Sequence, residues 1–131
     1  MVKDKQYTVS KDSGGKSLKG EKYYKVLLPK SIPSCNFWSV IVYDSRTKLM
    51  IHTDQSWPSV YIRQKGLIVN KDGSVDIWFG PGNMAGGLRN FIKTIPGKSW
   101  FMIMRLYDLS EPVDDNEWKP GGIEEVNNDP E

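Results

Sequence analysis

The chain has 131 residues, with 18 Lys and Arg, 16 Asp and Glu, one His and a formal charge of +2, and 38% of it is hydrophobic. That length suits one domain burying roughly two-thirds of its unfolded surface, so a core forms without disulfides or metal. The single Cys35 excludes an internal disulfide and a cysteine-built zinc site, and no apolar run reaches the about 18 residues of a membrane helix.

The opening MVKDKQYTVS carries no apolar signal segment, so the sequence as it stands is expected to be soluble, with its compartment left open. Charge is unevenly spread. Residues 1–30 sum to +5, residues 31–107 to +5 and residues 108–131 to −8. A basic face for nucleic acid or anionic lipid with a competing acidic tail is one reading. Scattered lysines without an arginine cluster favour plain solvated termini, so neither nucleic acid nor membrane is expected as a partner.

Met1 to Gly20 is polar, with a turn signal at Asp12-Ser13-Gly14-Gly15. In Lys22–Leu28, Tyr24, Val26 and Leu28 share one face and Tyr23, Lys25 and Leu27 the other, which predicts a strand with one wet side. Pro29 and Pro33 bracket a connection that cannot continue a ladder. Phe37–Asp44, FWSVIVYD, is apolar on both faces and predicts a second strand. Asp44–Lys48 reads as a turn, from which Leu49-Met50-Ile51 pairs back as a hairpin. His52–Gly66 is irregular around Pro58, the kind of long loop that carries sites.

Leu67–Val69 and Ser74–Phe79 flank Asn70-Lys71-Asp72-Gly73, a hairpin loop with Gly available for positive φ, and Val75, Ile77 and Phe79 predict one buried face. Gly80–Gly87 is a loop, Leu88–Ile92 suits a helical turn, and Pro96-Gly97 is a reversal. Ser99–Leu109, SWFMIMRLYDL, is the longest apolar run, with Trp100, Met102, Met104 and Leu106 to one side and Phe101, Ile103, Arg105 and Tyr107 to the other. Apolar on both faces, it predicts a strand in mid-sheet between covering layers. Beyond Glu111 the strong anchors are Trp118 and Ile123. No stretch keeps helical periodicity over ten residues. The pattern predicts an all-β fold, an antiparallel β-sandwich of about seven or eight strands with little helix, over residues 1–126, with a flexible acidic tail at 127–131.

Candidate chemistry is sparse. GPGNMAGG lacks the Gly-Lys-Ser/Thr ending and following helix of a phosphate loop and reads as a plain loop. His52 has no second ligand at metal spacing, Cys35 reads as a half-buried structural thiol, and no GxSxG elbow occurs. No metal or cofactor is expected. Asp44, Asp54 and Asp76 are the carboxylates nearest strands, and each is expected to end a turn. Arg105 stays charged, so burial demands partners: either a structural ion pair with Asp44, Asp76 or Glu124, or the floor of a pocket for an anionic or polar ligand. The loops Thr53–Tyr61 and Gly80–Ile95 carry Asp54, Gln55, Trp57, Tyr61, Arg89, Asn90 and Phe91, a mix suited to stacking and hydrogen bonding; with Arg105 these form the candidate ligand site.

One set of residues carries a family resemblance: Phe37-Trp38-Ser39 with Tyr43-Asp44; Thr53-Asp54-Gln55 with Pro58-Ser59; Gly66-Leu67, Asn70 and Asp72-Gly73-Ser74-Val75-Asp76. It continues through Phe79-Gly80-Pro81, Asn90, Thr94, Pro96-Gly97-Lys98, Trp100-Phe101, Arg105-Leu106-Tyr107, Trp118-Lys119-Pro120-Gly121 and Ile123-Glu124. In order and spacing the chain resembles the domain-of-unknown-function family 1214, from about Gly15 to Val126. The resemblance implies a jelly-roll-like β-sandwich and no established activity. It also implies a C-terminal place in bacterial proteins, many of which look exported, behind a companion uncharacterised domain, family 1254.

Two functions follow. One is a non-catalytic module that binds a companion domain or a polar ligand such as a glycan, with room for a homo-oligomer. The other is a hydrolase-type enzyme using carboxylates near Asp54 and Asp76, with Arg105 as anion clamp.

Overall fold

Alternation of apolar side chains turns this sequence into strands, and pairing their apolar faces makes two layers. The structure, a computed structural model, describes residues 4–55, 57–82 and 90–126. Its strands are β1 (Lys5–Val9), β2 (Leu18–Lys19), β3 (Tyr23–Leu28), β4 (Cys35–Asp44), β5 (Ser59–Tyr61), β6 (Val75–Gly80), β7 (Phe91–Lys93), β8 (Ser99–Leu109) and β9 (Glu124–Val126). Among the described residues there is no helix, and so none long and apolar enough to cross a membrane.

β8 organises the first sheet. β4 runs antiparallel along its whole length, from Cys35 opposite Leu109 to Asp44 opposite Trp100. On its other edge β1 covers Met102–Leu106 and β2 covers Ser99 and Trp100, while β5 extends the sheet beyond β4. The second sheet has the order β7-β6-β3-β9. The all-β sandwich is as expected, with β4 and β8 as interior strands. One pairing departs from the antiparallel expectation: β7 lies parallel to β6. A tight hairpin cannot join strands paired in parallel, so β6 and β7 are not a hairpin.

The inner faces are those the alternation predicts. Tyr24, Val26 and Leu28 of β3, Val75, Ile77 and Phe79 of β6, and Trp100, Met102, Met104 and Leu106 of β8 are all buried. Trp100 joins the layers, with its ring 4.7 Å from Phe79 and edge-on to Tyr24 at 5.6 Å. Trp118 closes one side: it meets Tyr7 edge-on at 5.8 Å, and its indole N–H donates to the Pro29 carbonyl at 3.1 Å.

Several local expectations change, among them Ser59–Tyr61, which is a strand within the stretch expected to be irregular. β1 lies in a segment read as polar, because Lys5, Gln6 and Thr8 mask the single buried Tyr7. Leu49–Ile51 makes one bridge, Tyr43 to Met50, rather than a strand. Phe91 belongs to a strand rather than a helical turn, while Leu88 lies outside the described residues. Most important, the second apolar face of β4 and β8 is not covered by another layer: Phe37, Ile41, Tyr43, Phe101, Ile103, Arg105 and Tyr107 are all half-exposed. The expected tail, 127–131, lies outside the described residues.

The two sheets close against each other where Gly20 meets the β7–β8 turn. Its N–H donates to Lys98 O at 2.9 Å, and the Thr94 hydroxyl donates to Gly20 O at 2.9 Å. A Cβ at Gly20 would stand 1.8 Å from the Ile95 carbonyl oxygen. Gly73 differs: it sits at φ 92° in the hairpin loop, with nothing near a Cβ. We expect Gly20→Ala to cost about 2–3 kcal/mol, because backbone must move. Gly73→Ala should cost about 1 kcal/mol, from its left-handed φ alone. Urea midpoints of the two variants check the order; equal losses would contradict the close approach at Gly20.

Candidate functional site

The candidate residues divide among three places. Asp54, Gln55 and Phe91 come together with Lys93 around a cleft of about 270 Å³ beside β7. Asp54 pairs with Lys93 at 2.7 Å. Gln55 is committed to the backbone: its amide donates to Phe91 O at 2.7 Å and accepts from Lys93 N–H at 2.9 Å. A side-chain amide thus stands in for a neighbouring strand at the free edge of β7. Phe91 itself is buried, and Trp57 on the same loop is 62% exposed.

Asn90 is a structural amide. It is 2% exposed, accepts from Ile68 N–H at 3.0 Å and donates to Ile68 O at 2.7 Å and Asp76 O at 3.0 Å. Leu67–Val69 is consequently held by a side chain and not by a ladder. Arg89 lies outside the described residues.

Tyr61 and Arg105 stand elsewhere, on the open face of the first sheet. Arg105 lines a cleft of about 220 Å³ with Asp4, Lys5, Gln6 and Tyr107, and it is not buried in the ion pair with Asp44, Asp76 or Glu124 that was one of its two expected roles. Instead it is half-exposed, its guanidinium donates to the Tyr43 hydroxyl at 2.8 Å and lies 5.7 Å from that ring's centre, and no acid pairs with it among the described residues. With no layer above this face, the charge keeps its water and needs no buried counter-ion.

The carboxylates do not converge. Asp54 neighbours Lys93, which pairs with Gly80; Asp76 is four residues back along β6, about 13 Å at a strand's rise, held by Asn70 and Lys25. Arg105 is on the other sheet. His52 is exposed, and among the described residues no three metal-ligating side chains cluster.

What does converge is aromatic. On the open face Phe37 lies between Tyr61 and Tyr107, at ring separations of 5.8 and 5.9 Å, and Tyr43 stacks on Phe101 at 5.4 Å. Cross-strand register places Ile41 opposite Ile103 between these two aromatic groups. Three cations lie over the rings: Arg63 on Phe37, Arg105 on Tyr43 and Lys48 on Phe101, at 5.8, 5.7 and 5.4 Å. None is paired with a carboxylate among the described residues. Alternation in the sequence supplied the β4 and β8 residues but assigned them to a covered face, and Tyr61 of β5 was expected in a loop. The discordant signal was Ser39, Arg105 and two tyrosines on a face read as buried.

The sequence profile of a family described as "Protein of unknown function (DUF1214)" matches residues 4–111. The chain belongs to this family. Among solved structures, the VPA0106 protein from Vibrio parahaemolyticus matches 95% of the chain at 26% identity and a TM-score of 0.76, yet the match covers only 31% of that protein's own chain. An uncharacterized protein from Burkholderia cenocepacia shares the fold, at 15% identity and a TM-score of 0.64, over 97% of this chain and 30% of its own. The domain therefore spans about a third of the solved relatives it matches. No curated protein matches it.

Four carboxylates of the family domain are tuned downward: Glu21, by its own N–H and that of Gly97, and three aspartates. Asp44 accepts from Arg46 N–H at 2.8 Å and Thr47 N–H at 3.3 Å, with Lys98 at 3.4 Å, and these hold it below the usual carboxylate range despite its burial. Lys93 lowers Asp54, and the Ser74 hydroxyl and N–H lower Asp72. Folded-state values below the unfolded ones mean that their stabilisation is complete above about pH 4–5 and is lost as pH falls through the folded values. We expect the urea midpoint to hold from pH 7 to 5 and to fall below pH 4. Asp44→Asn should flatten that fall more than Asp54→Asn, because Asp54 is 78% exposed and screened. A fall unchanged by Asp44→Asn would remove the turn at Asp44–Thr47 from the account.

Proposed function

We propose that this domain is a non-catalytic docking module, and that its binding surface is the open face of the β1-β8-β4-β5 sheet. The surface it meets belongs to polypeptide of the companion type, carried outside the domain in longer chains. One observation carries the reading: an aromatic and isoleucine sheet face, half-exposed, with Asp4 at its Arg105–Tyr107 end, in a domain that covers 31% of a solved relative. Contiguous apolar surface on one sheet is the signature of an interaction site. Tyrosine, phenylalanine and arginine are the residues enriched where such surfaces bind.

Glycan binding, the second reading, uses the same rings as stacking platforms. The hydrolase reading draws no support from the geometry, since Asp54, Asp76 and Arg105 face three different surroundings.

The test places a charge on the face. Ile41→Lys and Ile103→Lys in the isolated domain should shift its melting temperature little, since both side chains are half-exposed and point away from the core. The corresponding substitutions in the full-length VPA0106 protein should lower its melting temperature by about 4 °C or more, as a charge buried in an interface does. Small effects in both proteins would show a free face and end the docking proposal. A thermal-shift response to a glycan panel, lost with Tyr61→Ala, would move the reading to a ligand. Turnover of ester, glycoside or phosphate-ester substrates abolished by Asp54→Asn or Asp76→Asn would move it to an enzyme.

A further inference from the structure

An open apolar cleft of about 340 Å³ lies where residues of β4 and β6 meet the loops beside them. It is lined by Ile32, Trp38, Ile62, Leu67, Val69 and Val75 with Cys35 at its wall. Trp38 and Val75 belong to the inner faces of β4 and β6, so the cleft reaches the core and is distinct from the open sheet face. The cleft is open to solvent, and apolar walls of this kind tend to pack together unless something holds them apart.

Something does hold this one. Leu67–Val69 would be expected to zip against β6 as a hairpin, and the turn does close, with Asn70 N–H donating to Ser74 O at 2.8 Å. Beyond it, the buried Asn90 amide takes both Ile68 N–H and Ile68 O and also bonds to Asp76 O. The segment is thus spaced from β6 by a side chain's width, and Leu67 and Val69 form a standing wall. Val69 remains 52% exposed there, apolar surface that the fold leaves wet.

The lining dictates what fits. It contains no charged side chain. Its hydroxyl, on Ser34, is bonded to the Ser110 hydroxyl at 3.2 Å. Burial pushes the Cys35 thiol pKa above its ordinary value. A ligand entering here exchanges water for aliphatic contact and finds little to pair a charge.

From the cavity, its lining and the fixed wall, we infer that this cleft binds a small neutral molecule whose buried part is an aliphatic chain. Its volume falls in the range of small-molecule sites, about 300–1,000 Å³. The inference is independent of the docking proposal, because it uses the opposite side of the first sheet.

The probes are the 1-alkanols from butanol to decanol, titrated calorimetrically into the purified chain. Affinity should tighten about fourfold per added methylene, equivalent to about 0.8 kcal/mol each, until the cleft is full and then level off. Saturating 1-octanol should slow alkylation of Cys35, the one cysteine, by N-ethylmaleimide. Leu67→Glu and Val69→Glu should each weaken 1-octanol binding about tenfold or more, by placing a carboxylate at the wall. Val69 is exposed enough that its variant keeps the fold should Leu67→Glu lose it. Ile41→Lys and Ile103→Lys should leave binding unchanged. Affinity that ignores chain length, a Cys35 alkylation rate untouched by bound alcohol, or undiminished binding by Val69→Glu would each overturn the inference.

Discussion

The sandwich hangs on Trp100. It enters from β8, the strand that pairs with β4 along one edge and with β1 and β2 along the other, and its ring meets Phe79 and Tyr24 of the facing sheet. Aromatic side chains of this size dominate core energetics, and truncating one typically costs about 3–5 kcal/mol. Fixing Trp100 inward fixes the phase of β8, because side chains alternate strictly. Met102, Met104 and Leu106 then point into the core, and Phe101, Ile103, Arg105 and Tyr107 must point out. The open aromatic face is therefore the other side of the decision that builds the core.

Side-chain amides do much of what ladders do elsewhere in a sheet. Gln55 occupies the free edge of β7, and Asn90 holds Leu67–Val69 beside β6. Each presents one donor and one acceptor in the geometry of a peptide group, so it satisfies a backbone pair without adding a strand. Both residues suggested ligand contacts when seen in loops. Their amides are occupied inside the fold, and the same loops leave Trp57 and the Asp54–Lys93 pair facing solvent.

The architecture was largely legible in the sequence because burial of strands leaves a period of two. Val75, Ile77 and Phe79, or Tyr24, Val26 and Leu28, announce their buried face without help. β1 did not, since an edge strand with one buried tyrosine leaves too few alternations to read. The candidate site was less legible. Whether Arg105 is solvated depends on whether a layer covers its face, and that is a property of the whole topology and not of SWFMIMRLYDL. Two-sided apolar strands look alike whether the second side meets another part of the same domain or something beyond it.

That ambiguity is itself informative about any surface that docks here. Arg63, Arg105 and Lys48 each rest on a ring, and those cations are among the first groups an arriving surface would dehydrate. An arginine stripped of water without acceptors costs several kcal/mol, more than its aromatic neighbour returns. The Tyr43 hydroxyl accepts one of the guanidinium's five N–H groups, and the others need oxygens from the partner. A purely apolar partner would bury Ile41 and Ile103 well and Arg105 badly. A surface that docked on this face would need an apolar centre and carboxylates or free carbonyls set opposite the cations.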